Sequence, residues 1–121
     1  MKKVLIVEDE KILREALAIK FKDEGFEVLE AGNGEIGLEL ALKSSPDIIL
    51  LDIVMPVMDG LTMLKKLQDD EVGKYLKVLI LTNLSDGNKI ADAIDDGSRG
   101  YLIKTDWSLD EIVEKVRGLV S

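Results

Sequence analysis

The sequence predicts an α/β domain: a doubly wound parallel sheet of five strands in the order 2-1-3-4-5, made from five successive βα units. Three observations lead there. Short apolar runs recur along the chain, stretches with helical periodicity separate them, and turn or cap residues stand at the junctions.

The apolar runs are Val4–Val7, Phe26–Leu29, Ile48–Leu51, Val78–Leu81 and Tyr101–Ile103. The first, third and fourth are apolar at every position, as expected of strands covered on both faces. Between the first two runs, Leu13, Ala16, Leu17 and Phe21 fall on one helical stripe, and Gly25 follows as a residue that accepts the left-handed conformation ending a helix. The second helix must stop before Pro46-Asp47. Leu61, Leu64 and Leu67 form the stripe of the third helix, and Ile112, Val113, Val116 and Val120 that of the last. Ser108-Leu-Asp-Glu111 opens this last helix with a capping-box pattern. Every connection is a helix-length crossover, so the strands should run parallel with right-handed connections.

A chain of 121 residues fits one core, and a single domain over residues 1–121 is expected. Sixteen basic against 24 acidic residues give a net charge of −8, with no basic cluster to neutralise nucleic-acid phosphates, so direct nucleic-acid binding is not expected. The only apolar run near the N-terminus, Val4–Val7, is too short for a signal peptide or membrane span. Without cysteine there is no disulfide framework or thiol chemistry, and a cytoplasmic location is expected. Histidine is also absent, which removes phosphohistidine, a histidine base and imidazole metal ligands from this chain.

In a parallel α/β sheet the strand C-termini share one edge, where ligands bind at the switch point of the strand order. The first strand ends at Glu8-Asp9, the third at Asp52, the fourth at Thr82 and the fifth at Lys104. These strands would lie side by side and bring the five residues together. Crowded carboxylates repel one another unless a cation joins them, and Mg2+ suits an all-oxygen site that keeps room for waters and phosphate. Lys104 and Thr82 offer a cation and a hydroxyl donor to phosphoryl oxygens, and central Asp52 is the natural nucleophile for an acyl phosphate. Taken singly, each has an ordinary explanation: a solvated turn, a strand-end hydroxyl, a surface lysine. Their joint placement favours phosphoryl chemistry. Glu10, Asp69-Asp70-Glu71 and Asp95-Asp96 read as solvated faces and caps.

Glu8-Asp9 after an apolar strand, Asp52-Ile-Val-Met-Pro-Val-Met-Asp-Gly60, Thr82 after Leu81, and Tyr101-Leu-Ile-Lys104 together resemble the response-regulator receiver family of two-component signalling, whose fold is flavodoxin-like. The resemblance covers essentially the whole chain. It implies that Asp52 accepts a phosphoryl group from a histidine kinase or histidine phosphotransfer protein. It further implies that Asp9, Asp52 and the Val54 carbonyl bind Mg2+, with Glu8 acting through water. Thr82 and Tyr101 would form the switch and Lys104 would pair with the phosphoryl group. Such a domain catalyses its own phosphorylation and dephosphorylation, and a protein target would read its state on the face of the fourth helix, fifth strand and fifth helix.

Three positions depart from the family pattern. Thr105 stands where proline commonly follows the lysine, and the isomer cost before a non-proline predicts a trans Lys104–Thr105 bond. Asn83 replaces a small residue at the rim of the site, where its bulk and amide would tune reaction rates; a solvent-facing turn role is the alternative. Arg99-Gly100 replaces an acidic pair, which removes support for dimerisation in the manner of one transcriptional subfamily. A flavin carrier would need a Gly/Ser/Thr-rich first loop, and a phosphatase of the Asp-x-Asp type would carry its nucleophile on the first strand. Neither pattern occurs. The remaining alternative is a receiver-fold interaction module that no longer cycles phosphate.

Overall fold

A computed structural model describes residues 1–83, 98 and 100–121. The chain forms β1 (Lys3–Val7), α1 (Lys11–Asp23), β2 (Glu27–Ala31), α2 (Gly34–Ser44), β3 (Ile48–Leu51) and α3 (Gly60–Gln68). A 3-10 turn at Gly73–Tyr75 leads into β4 (Val78–Thr82). Then come β5 (Tyr101–Ile103), a second 3-10 turn at Lys104–Asp106 and the C-terminal helix (Leu109–Val120). All five strands pair in parallel, in the order β2-β1-β3-β4-β5. The helix expected between β4 and β5 lies outside the described residues. No helix among the described residues is long and apolar enough to cross a membrane.

Strand alternation sends the two halves of each apolar run into two cores. Val4, Ile6, Ile48, Leu50, Leu79 and Leu81 point to the side covered by α1 and the C-terminal helix, where they meet Leu17, Phe21, Ile112 and Val116. Leu5, Val7, Ile49, Leu51, Val78 and Ile80 point to the other side, against Ala41, Met63, Leu64 and Leu67 of α2 and α3. Burial on both faces is the physical reason these three central strands are apolar at every position. Edge strand β2 differs: it runs from Glu27 to Ala31, starting one residue after the apolar run Phe26–Leu29 and ending two residues beyond it. Phe26 stays outside the ladder and packs edge-on against Phe21, with ring centroids 5.0 Å apart.

The expected stops and starts appear in their structural roles. Gly25 takes φ +91° after α1, and Ser45 takes a left-handed φ of 45° before Pro46. Ser108 and Glu111 form the reciprocal capping box of the C-terminal helix. No cis peptide bond occurs among the described residues, so the Lys104–Thr105 bond is trans as the residue types predict.

Two glycines let the loop after β3 fold tightly onto its neighbours. The Gly34 N–H at the start of α2 donates to the Met58 carbonyl at 3.0 Å, and a Cβ at Gly34 would sit 2.4 Å from that oxygen. A Cβ at Gly60 would sit 2.1 Å from the carbonyl oxygen of Asp52, which ties the first turn of α3 directly to the end of β3. By contrast, a Cβ at exposed Gly118 in the C-terminal helix meets nothing within 4 Å. Gly60→Ala is therefore expected to lower unfolding free energy by roughly 2 kcal/mol through backbone displacement. Gly118→Ala is expected to raise it by about 0.5 kcal/mol through helix propensity. Urea unfolding followed by circular dichroism checks both signs.

Candidate functional site

β1 and β3 pair with Val7 opposite Leu51, so the residues that follow, Glu8 and Asp52, emerge side by side at the C-terminal edge of the sheet. The Asp52 N–H donates to the Val7 carbonyl at 3.0 Å, which extends that register one step beyond the strand. Glu8, Asp9 and Asp52 each offer a carboxylate oxygen within 4.8 Å of the others. Glu8 and Asp52 are buried, at 2% and 5% exposure, while Asp9 is exposed.

Buried carboxylates this close require positive charge. Lys104, at the end of β5, supplies it: its Nζ lies 2.5 Å from Glu8 Oε1 and 3.3 Å from Asp52 Oδ2. Asp52 Oδ1 accepts the Ile53 N–H at 2.9 Å. The Glu8 carboxyl is raised to about 8, first by burial, with the Lys104 hydrogen bond opposing the rise and Asp52 adding to it. Burial likewise raises Asp52, against the lowering effect of its Glu8 and Lys104 partners. Burial alone would lower the Lys104 ammonium, yet Glu8 and Asp52 outweigh that and hold it above its ordinary value. Glu8 Oε2 is the one buried side-chain oxygen without a hydrogen-bond partner among the described residues. Three convergent carboxylates and an unsatisfied oxygen fit a hard divalent cation better than they fit one another.

The structure thus brings Glu8, Asp9, Asp52 and Lys104 into one cluster. Thr82 is buried at 2% exposure at the end of β4, the strand next to β3, and exposed Asn83 follows it at the rim. Exposed Val54 lies in the loop after β3. Tyr101 is 45% exposed on β5, opposite Ile80, and stands outside the cluster. The loop that carries Val54 is strained as well as anchored. Val57 takes φ 68°, rare for a β-branched residue, in a turn where the Met58 N–H donates to the Pro56 carbonyl at 2.7 Å.

One neighbour of the site has no role in the sequence reading. Arg14, one turn into α1, donates from Nη1 to the Glu8 carbonyl at 2.8 Å, and its Nε lies 3.6 Å from Glu30 Oε1 on β2. Its only signal in the sequence is a basic residue one helical turn beyond an acidic loop.

Residues 4–117 match the family described as response regulator receiver domain. The chain belongs to the response-regulator receiver family. This receiver domain is 39% identical over 118 residues to the transcriptional regulatory protein LnrK of Bacillus subtilis, covering 96% of this chain and 52% of that protein. It is 32% identical to the DNA-binding dual master transcriptional regulator RpaA of Synechocystis, covering 99% of this chain and 49% of that protein. The chain therefore spans about half the length of these curated relatives. Among solved structures, Vibrio cholerae chemotaxis protein CheY4 superposes with a TM-score of 0.89 at 28% identity, covering 98% of each chain. The CheX-CheY-BeF3-Mg+2 complex from Borrelia burgdorferi matches at 0.87 and 26% identity, covering 99% of this chain and 90% of that one.

The receiver's buried cation can be tested for what it contributes to folding. At pH 9, above the raised range of the Glu8 carboxyl, Lys104→Met leaves Glu8 and Asp52 facing each other without a counter-charge. The expected loss is about 3 kcal/mol of unfolding free energy in Mg2+-free buffer, the order typical when one partner of a buried ion pair is removed. Adding Glu8→Gln to that variant should recover most of the loss. Strictly additive effects in the double-mutant cycle would contradict the coupling.

Proposed function

We propose that this receiver domain is a Mg2+-dependent phosphoacceptor switch in which Asp52 takes a phosphoryl group from a histidine kinase or histidine phosphotransfer protein. The observation that carries the reading is the position of Asp52, buried between an acidic pair and Lys104 at the sheet's ligand-binding edge. Asp9, Asp52 and the Val54 carbonyl would hold Mg2+, with Glu8 acting through water. When bound, Mg2+ supplies the positive charge that screens the repulsion between a carboxylate nucleophile and an incoming phosphoryl group. The Borrelia relative, solved as a complex containing BeF3 and Mg2+, supports this assignment by likeness.

In the transfer, a carboxylate oxygen of Asp52 forms a bond to phosphorus as the P–N bond to the donor imidazole breaks. The imidazole nitrogen leaves with the bonding pair and takes a proton from solvent. Asp52 Oδ1 is held by the Ile53 N–H, so the carboxylate meets the donor in a defined rotation. Lys104, 3.3 Å from Oδ2, is placed to pair with a phosphoryl oxygen once its contact with Glu8 is given up. Such positioning and charge stabilisation supply most of the catalysis in phosphoryl transfer.

Thr82, next to the site, would then bond a phosphoryl oxygen, and Tyr101 would leave its exposed position for the space Thr82 vacates. A partner that binds one arrangement better than the other shifts the equilibrium by that difference in affinity. The partner would be a protein reading the face made by β5, the C-terminal helix and the helix expected before β5. The domain, acting in the cytoplasm, would itself make no contact with nucleic acid. Asn83, exposed beyond Thr82, would narrow the approach to Asp52 and slow both phosphorylation and hydrolysis.

Incubation with Mg2+ and acetyl phosphate, followed by intact-mass measurement, should add one phosphoryl group. Asp52→Asn should abolish the addition while the protein stays folded, and Asn83→Ala should speed both labelling and loss of label. Label that persists in Asp52→Asn contradicts the assignment of Asp52. A folded parent that takes no label favours an interaction module that does not cycle phosphate.

A further inference from the structure

We propose that Arg14 is a positioning residue for the metal-binding carboxylates, acting by locking the peptide that joins Glu8 to Asp9. The proposal rests on the Mg2+ site described above. Glu8 has both of its backbone polar groups engaged: its N–H donates to the Ala31 carbonyl at 3.0 Å, and its carbonyl accepts from Arg14 Nη1 at 2.8 Å. The first bond ties the Glu8 end of the loop to edge strand β2, and the second ties it to α1. Together they keep the Glu8–Asp9 peptide from flipping, and the orientation of that peptide sets where the Asp9 side chain emerges. The guanidinium is itself held, with Nε 3.6 Å from Glu30 Oε1 on β2.

This lock answers a physical need. Asp9 is the exposed member of the carboxylate cluster and is the one that repulsion from Glu8 and Asp52 can push toward solvent when no metal is bound. A loop held in place keeps Asp9 ready for the cation, so binding does not have to reorder it. Arg14 touches none of the carboxylate oxygens of the cluster in doing so, which distinguishes it from Lys104.

The sign of one measurement separates this role from a bulk charge effect. Deleting a positive charge beside an acidic pocket strengthens cation binding through electrostatics alone. Losing the lock weakens it. In Mg2+ titrations of the folded protein, followed by Trp107 fluorescence and amide NMR shifts, Arg14→Met is expected to weaken Mg2+ binding by about 10-fold, the order seen when groups that orient metal ligands are removed. Arg14→Lys, which keeps a donor and the charge, should recover part of the loss. Glu30→Gln, which weakens the hold on the guanidinium but leaves its bond to the Glu8 carbonyl, should weaken Mg2+ binding less than Arg14→Met does. The amides of Glu8 to Lys11 should broaden or shift in metal-free Arg14→Met. Equal or tighter Mg2+ binding by Arg14→Met overturns the positioning role while leaving the Mg2+ site standing. A parent that binds no Mg2+ overturns both.

Discussion

The arrangement at the sheet edge depends on one interaction, the Lys104 ammonium set between the carboxylates of Glu8 and Asp52. Two buried acids on adjacent strands would otherwise repel each other at the place where β1, β3 and β5 must deliver their ends together. The parallel topology creates the problem, because every strand C-terminus arrives at the same edge. It also solves it, because β5 ends with a lysine long enough to reach across β4 to the acids. The fold and the site are therefore not separable: the register that buries Val7 and Leu51 is the one that aligns Glu8 with Asp52.

The site remains unsatisfied in a specific way. Lys104 bonds one oxygen of Glu8 and approaches one oxygen of Asp52, while Glu8 Oε2 has no partner among the described residues and Asp9 is exposed. Charge at the site thus stays net negative around a single ammonium, which favours a divalent cation. The surrounding backbone is rigid where it needs to be. Gly60 packs against the Asp52 carbonyl, Gly34 holds the Met58 carbonyl, and Val57 is kept in a left-handed turn between them. Strain of this kind persists only where neighbouring contacts over-determine the loop, and it is common beside functional sites.

Much of this was legible in the residues themselves. Continuous apolar runs marked β1, β3 and β4 because burial on both faces demands them, and the capping box at Ser108 marked the start of the C-terminal helix. The cluster of Glu8, Asp9, Asp52 and Lys104 followed from the strand order of a doubly wound sheet, which the alternation of strand and helix signals with right-handed crossovers suggested. Other features depend on three-dimensional contacts that no spacing encodes. The apolar run Phe26–Leu29 starts one residue before β2 and stops two short of its end; the Phe26 N–H donates to the Phe21 carbonyl, closing α1, and its ring packs on Phe21. Arg14 reads as an ordinary helix-surface residue until the fold returns it to the Glu8 carbonyl. Whether Lys104 would favour Glu8 or Asp52 was likewise beyond the sequence, since it turns on side-chain rotamers at a shared edge.

The central claim is that Lys104 exchanges partners, held by Glu8 in the resting protein and passed to the phosphoryl group on Asp52 when the site is charged. A crystal structure of the protein with Mg2+ and beryllofluoride tests this most directly. The account predicts Lys104 Nζ within hydrogen-bond distance of a fluoride on Asp52, its contact with Glu8 Oε1 lost, and the cation among Asp9, Asp52 and the Val54 carbonyl. Beryllofluoride bound on Asp52 with Lys104 still paired to Glu8, or a cation bound away from these residues, would contradict it.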